Sequence, residues 1–170
     1  MYSRQGCAEK INVLEDGSIP QVRITSYGLN GKPLEGKGEY YGYIACHMMP
    51  KNECIYSGQE KEFRIMQDGR DGDEEPGYIG FMSDGCTAGF VSFDCKNVKK
   101  IAIKVRGYMY GAYEFRNKLD GPVIGKIDNL HNCNIWERYE TDIDLPDGIN
   151  DLYITYVGGG CIDLLSFELI

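Results

Sequence analysis

The sequence predicts an all-β protein, a β-sandwich of the jelly-roll kind with a short N-terminal β-hairpin extension. Three observations carry this. The chain of 170 residues is rich in glycine (22) and tyrosine (13). It has no long stretch of helical apolar periodicity, and from Tyr40 onward it alternates strand-like runs with turn signals at spacings of about 8 to 14 residues. A chain of this size holds one well-cored domain and little beside it.

The extension comes first. Residues 10–25, KINVLEDGSIPQVRIT, place Asp16-Gly17 between two apolar runs, as a hairpin turn requires, and Pro20 confines the second run to an edge. The glycine-rich SYGLNGKPLEGKGEYYG then has no periodicity and reads as a linker. The boundaries expected are 1–27 for the extension, 28–39 for the linker and 40–170 for the sandwich. An isolated hairpin is marginal in water, so the extension reads as the tail of another domain.

Within the sandwich, YYGYIACHM and EFRIM come first, and GYIGFMSDGCTAGFVSFD supplies two strands around Ser83-Asp84-Gly85. KKIAIKVRG alternates, with Ile101, Ile103 and Val105 inward and Lys104 and Arg106 outward. GAYEFRNK, PVIGKID, WERYETDIDL and LYITYVG follow as separate strands. In the last, DLLSFELI, strict alternation puts Asp163, Leu165, Phe167 and Leu169 on the core-facing side.

The net charge of −8, without a basic stripe, disfavours nucleic acid and anionic membrane surfaces as partners. No apolar run approaches the length of a membrane span, and MYSRQGCAEK lacks the apolar stretch of a signal peptide. Seven cysteines, an odd number without a CxxC pair, are expected as reduced, mostly buried thiols, which favours a cytoplasmic setting. His47 and His131 have no Ser-His-Asp context, and neither GxSxG nor HExxH occurs. The chain alone is expected to be non-catalytic. Asp68, Asp71, Asp73, Glu74 and Glu75 are candidate oxygen ligands for calcium, although their order departs from the EF-hand pattern.

The strongest candidate chemistry is aromatic. Sugars present C–H faces that stack on rings, with hydroxyls that need short polar side chains nearby. NLHNCNIWERYE sets the only tryptophan, Trp136, beside Asn132 and Asn134, although composition by itself favours a core role for that ring.

GYIGFMSDGCTAGFVSFDCKNVKKIAIKVRG, GAYEFRNKLDGPVIGKI, WERYETDIDLPDGINDLYITYVGGG and LLSFEL, in that order, resemble a family 6 carbohydrate-binding module over residues 40–170. SRQGCAEKINVLEDGSIPQVRITSYGLNGKPLEG is similar to the C-terminal end of a glycoside hydrolase family 43 catalytic domain, a five-bladed propeller whose catalytic carboxylates would lie upstream. The resemblance implies a sugar site at one end of the sandwich, with Trp136 and Phe81 as a two-ring clamp, Asp163 in place of an asparagine on the last strand, and Tyr78 or Asn134 at the rim. Cys161 takes the asparagine position if the last strand shifts by two residues. It also implies a structural calcium held through a first-strand glutamate, where this chain has Cys46.

The expected ligand is a xylan-type or arabinoxylan oligosaccharide, and the expected protein partner is the catalytic propeller of a β-xylosidase or arabinofuranosidase. The alternative is an accessory domain that packs on the propeller and binds no sugar; a filled cleft with Trp136 buried would favour it. A third arrangement places sugar on the concave face through Tyr108, Tyr110 or Tyr153.

Overall fold

The structure, a computed structural model, describes residues 8–52, 54–56, 58–67 and 77–170. Among the described residues twelve strands run in chain order: β1 (Leu34–Glu35), β2 (Gly38–Tyr41), β3 (His47–Met49), β4 (Cys54–Tyr56), β5 (Gln59–Lys61), β6 (Arg64–Met66), β7 (Tyr78–Met82), β8 (Thr87–Cys95), β9 (Lys100–Arg116), β10 (Gly125–Leu130), β11 (Cys133–Asp142) and β12 (Gly148–Leu169). Ten of them form one curled sheet, and β4 and β5 form a separate two-stranded hairpin. The fold is the predicted all-β sandwich.

Two expected strand breaks are bends instead. KKIAIKVRG and GAYEFRNK are one strand of 17 residues, β9, and the last two expected strands are one of 22, β12. Glycines let these strands turn the corner without stopping. Gly111 and Gly158 face each other in the β9–β12 ladder with φ of 159° and 148°, and a Cβ on either would overlap the opposite strand's backbone.

β12 joins the whole structure, pairing with β8 through its first half, with β9 along most of its length, and with β7 and β2 near its end. The core fills the curl: Phe90, Phe93, Ile101, Ile103, Val105, Tyr113, Phe115, Ile154, Tyr156, Leu164 and Phe167 are all buried. The inward set Ile101, Ile103 and Val105 lies where alternation puts it, with Lys104 and Arg106 on the opposite, half-buried side.

The expected phase of the last strand is corrected. A bulge between Leu164 and Ser166 makes Leu165 an extra residue against β9. Ile162 and Leu164 face the core before it, and Phe167 and Leu169 after it. Asp163 is therefore turned outward, on the same side as Ser166 and Glu168, because one inserted residue reverses the face of everything beyond it.

In the extension, the turn forms at Asp16-Gly17. Gly17 has φ 83°, its N–H donates to the Leu14 carbonyl, and the Leu14 N–H donates to the Ser18 carbonyl. The flanking segments carry no strand ladder among the described residues. Polar contacts hold them instead: the Thr25 hydroxyl donates to Glu9 at 2.7 Å, Arg23 pairs with Asp151, and the Ser26 N–H donates to the Val91 carbonyl.

The expectation of reduced thiols is also corrected. Cys54 and Cys161 form a disulfide, 107 residues apart in sequence with Cα atoms 5.9 Å apart, while Cys86, Cys95 and Cys133 are free thiols. Which of seven cysteines pair is a matter of three-dimensional proximity, which their spacing does not encode.

Candidate functional site

Two register irregularities flank a regular stretch of the β9–β12 ladder at one end of the sandwich and make a cleft. In β9 and β12, Arg106 lies directly opposite Asp163, Gly107 opposite Ile162, and Tyr108 opposite Cys161. β7 is irregular against β12 between Ile79 and Met82, which leaves Gly80 and Phe81 beside Asp163. Phe81 has a left-handed φ of 60°, unusual for a residue with a side chain, and its N–H donates to Asp163 Oδ1 at 3.1 Å. β11 is irregular against β9 between Cys133 and Glu137, so Asn134, Ile135 and Trp136 stand off the regular ladder.

The cleft so formed has a volume of about 630 Å³ and is lined by Ile55, Phe81, Arg106, Gly107, Tyr108, Cys133, Asn134, Cys161 and Asp163. Three of the sequence-predicted residues, Phe81, Asn134 and Asp163, are thus brought together in its wall. Cys161, the alternative to Asp163, lines it as well.

Trp136 and Tyr78 lie beside the lining. The Arg106 guanidinium carbon is 4.2 Å from the Trp136 ring centroid and 4.9 Å from that of Tyr78, and the two rings meet edge to face at 5.4 Å. Cation–π geometry of this kind holds a guanidinium in place. Arg106 Nε in turn donates to Asp163 Oδ2 at 3.3 Å. Tyr78, expected at the rim, is buried, because β7 tucks its first residue beneath this stack. Trp136 is half-buried, neither in the core nor fully exposed.

The loop before Trp136 is fixed from both sides. Asn132 Oδ1 accepts the Met109 N–H at 2.7 Å. Tyr139 donates to Glu137 at 2.9 Å and lies 3.0 Å from His131 Nδ1. Burial first, then the bond to Glu137 and its charge, pushes the Tyr139 phenol up to about 12. Burial likewise raises the Cys133 thiol, with the Glu137 charge adding to it.

Sequence reasoning passed over two features of this cleft. Arg106 appeared only as an outward residue of a half-buried strand; its contacts with Trp136 and Asp163 come from strands far apart in sequence. Tyr108 was considered only for the concave face, yet it lines this cleft and is 60% exposed. Tyr110, 65% exposed, lies with its ring over Gly159, where a side chain would collide with it.

The calcium candidates Asp68, Asp71, Asp73, Glu74 and Glu75 lie outside the described residues. Around Cys46 the described partners are the Ser26 hydroxyl at 3.2 Å and the Ile44 carbonyl. Calcium takes six to eight oxygen ligands, mostly carboxylate and carbonyl, and the Cys46 thiol does not supply the carboxylate that the resemblance implies at this position. Among the described residues no cluster of histidine, cysteine and acidic side chains could hold a metal ion.

No family model matches the chain. It is 51% identical over 174 aligned positions to a xylosidase/arabinosidase of Thermoclostridium stercorarium, an alignment that covers 99% of this chain and 37% of that protein. Among solved structures it is similar to a family 6 carbohydrate-binding module of Clostridium stercorarium in complex with cellobiose. The identity there is 12%, the TM-score 0.64, and the match covers 83% of this chain and 98% of that one. It is also similar to a glycoside hydrolase family 43 arabinoxylan arabinofuranohydrolase of Bacillus subtilis in complex with cellotetraose, at 16% identity and TM-score 0.64, covering 95% of this chain and 33% of that one. The chain is therefore a close sequence relative of a little over a third of a xylosidase/arabinosidase, and it has the fold of a family 6 carbohydrate-binding module.

Proposed function

We propose that this chain is a non-catalytic carbohydrate-binding module that takes xylan-type oligosaccharides in the cleft at the end of the sandwich and serves a xylosidase or arabinofuranosidase. The open cleft is the observation that carries the reading, since a domain serving only to pack on its neighbour has no need of one. Tyr108 and Phe81 offer ring surface for the C–H faces of a sugar, Asp163 accepts from its hydroxyls, and Arg106 and Asn134 donate to them. Trp136 and Tyr78 act by holding Arg106 against Asp163. The 51% identity to a xylosidase/arabinosidase supports a xylan-type ligand.

Weak binding suits such a module, because a tethered site raises local substrate concentration even when its own affinity is near millimolar, about −4 kcal/mol. Titration calorimetry with xylotetraose tests the reading. Tyr108→Ala and Asp163→Ala should each weaken binding at least tenfold, and Trp136→Ala should weaken it through loss of the Arg106 stack. Binding by Tyr108→Ala and Asp163→Ala equal to the parent would place the sugar elsewhere or nowhere.

Packing on a catalytic domain, the part of the accessory-domain reading that sugar binding leaves room for, has its own support. The match to the arabinofuranohydrolase covers 95% of this chain against 83% for the isolated module. The extension exposes Ile11, Val13, Leu14 and Ile19. We infer that residues 1–27 are the end of a catalytic propeller and that these side chains pack there.

A further inference from the structure

Redox control of the cleft follows from the position of the disulfide, if the cleft binds sugar as proposed above. Among the described residues the β4–β5 hairpin is a sheet of its own and shares no ladder with the ten-stranded sheet. It nevertheless supplies part of the cleft wall through Ile55, which is 69% exposed. At its entry the hairpin is tied down by Asn52, whose side chain donates to the Asp84 carbonyl at 2.7 Å and whose carbonyl accepts from Ser83. At the cleft itself the tie is covalent. Cys54, adjacent to Ile55, is bonded to Cys161, which is two residues before Asp163 and opposite Tyr108.

We propose that the Cys54–Cys161 disulfide is a clasp that holds the outer wall of the cleft against its floor, so that the oxidised chain binds sugar and the reduced chain binds it poorly. An isolated two-stranded hairpin is marginal in water, so this wall depends on what anchors it. The switching step is a two-electron exchange with a dithiol reductant. The S–S bond breaks, Cys54 and Cys161 each gain a proton and an electron as thiols, and the reductant leaves as its own disulfide.

Two features suit the clasp to this place. Cys161 is part of the cleft lining but only 7% exposed, so an oligosaccharide seated there covers the route to its sulfur. By linkage, a ligand that prefers the oxidised form must make the disulfide harder to reduce by the same factor. Cys133, the other cysteine of the cleft lining, is buried with its thiol raised, so it is a poor attacker of the disulfide.

The experiment uses the whole chain, oxidised and after treatment with a dithiol reductant in native buffer. Hydrogen exchange is followed at the amides of β4 and β5, and xylotetraose and cellobiose are titrated against both forms. Reduction should speed exchange in β4 and β5 at least tenfold while β8 and β9 keep their protection, and should raise the Kd for sugar at least tenfold. The Cys54→Ser/Cys161→Ser chain should match the reduced form, and Cys133→Ser should retain the full redox response. If the double variant does not fold, the reduced parent decides. Equal exchange in the two forms, or equal sugar affinity, overturns the clasp. An oxidised chain that binds neither sugar overturns the sugar reading, and the exchange data then report on the clasp alone.

Discussion

Gly107 lines the cleft and lies opposite Ile162 of β12. Its φ is 143°, and a Cβ there would overlap the Cys161 carbonyl oxygen. Gly107→Ala should destabilise the fold by about 1–3 kcal/mol, read from urea unfolding. Arg106 is different, because its task is orientation. Arg106→Met should shift the fluorescence emission of Trp136, the only tryptophan, and weaken sugar binding, whereas Asp163→Asn should shift the emission less. In the core, burial pushes the Cys95 thiol up to about 11 and the Tyr156 phenol up to about 12, and raises the Tyr113 phenol as well. An unfolded chain loses these protons near pH 8.5 for cysteine and about 10 for tyrosine. The folded chain therefore holds more protons than the unfolded one above those values, and stability falls as pH rises. The urea midpoint should be lower at pH 10.5 than at pH 8.

Strand phase decides which side chains reach the cleft. The Leu165 bulge allows Ile162 and Leu164 to share the core with Phe167 and Leu169 while Asp163 faces outward. Deleting Leu165 would force one group or the other out of the core, so the variant should lose its cooperative thermal transition in circular dichroism. This bulge was not legible, because Leu164 and Leu165 are equally apolar and either could face inward. The stretch of β9 through Ile101, Ile103 and Val105 was legible because its outward partners Lys104 and Arg106 are charged. The glycines at 107, 111 and 158 were recognised as interruptions, but a glycine that ends a strand and one that bends it are the same letter. What distinguishes them is whether a partner strand continues past the corner, as β9 and β12 do for each other.

At the scale of the whole molecule, the sandwich and its extension are joined by side-chain contacts such as Arg23–Asp151 and by the Ser26 contacts with Val91. Exposed ion pairs of this kind contribute about 0–1 kcal/mol, so a chain starting at residue 25 should melt within a few degrees of the parent. The order of strands, and the ring-and-amide composition around Trp136, were readable from the chain. The cleft wall drew on Ile55 and Arg106, neither of which carries a local signal, since each acquires its role from partners distant in sequence. The central place of β12 has a consequence for synthesis. Its 22 residues supply pairing for β2, β7, β8 and β9, so each of these four strands keeps an edge uncovered until β12 has left the ribosome. Nascent chains arrested before Gly148 should remain protease-sensitive and chaperone-bound, and resistance should appear abruptly once Leu169 has cleared the exit tunnel.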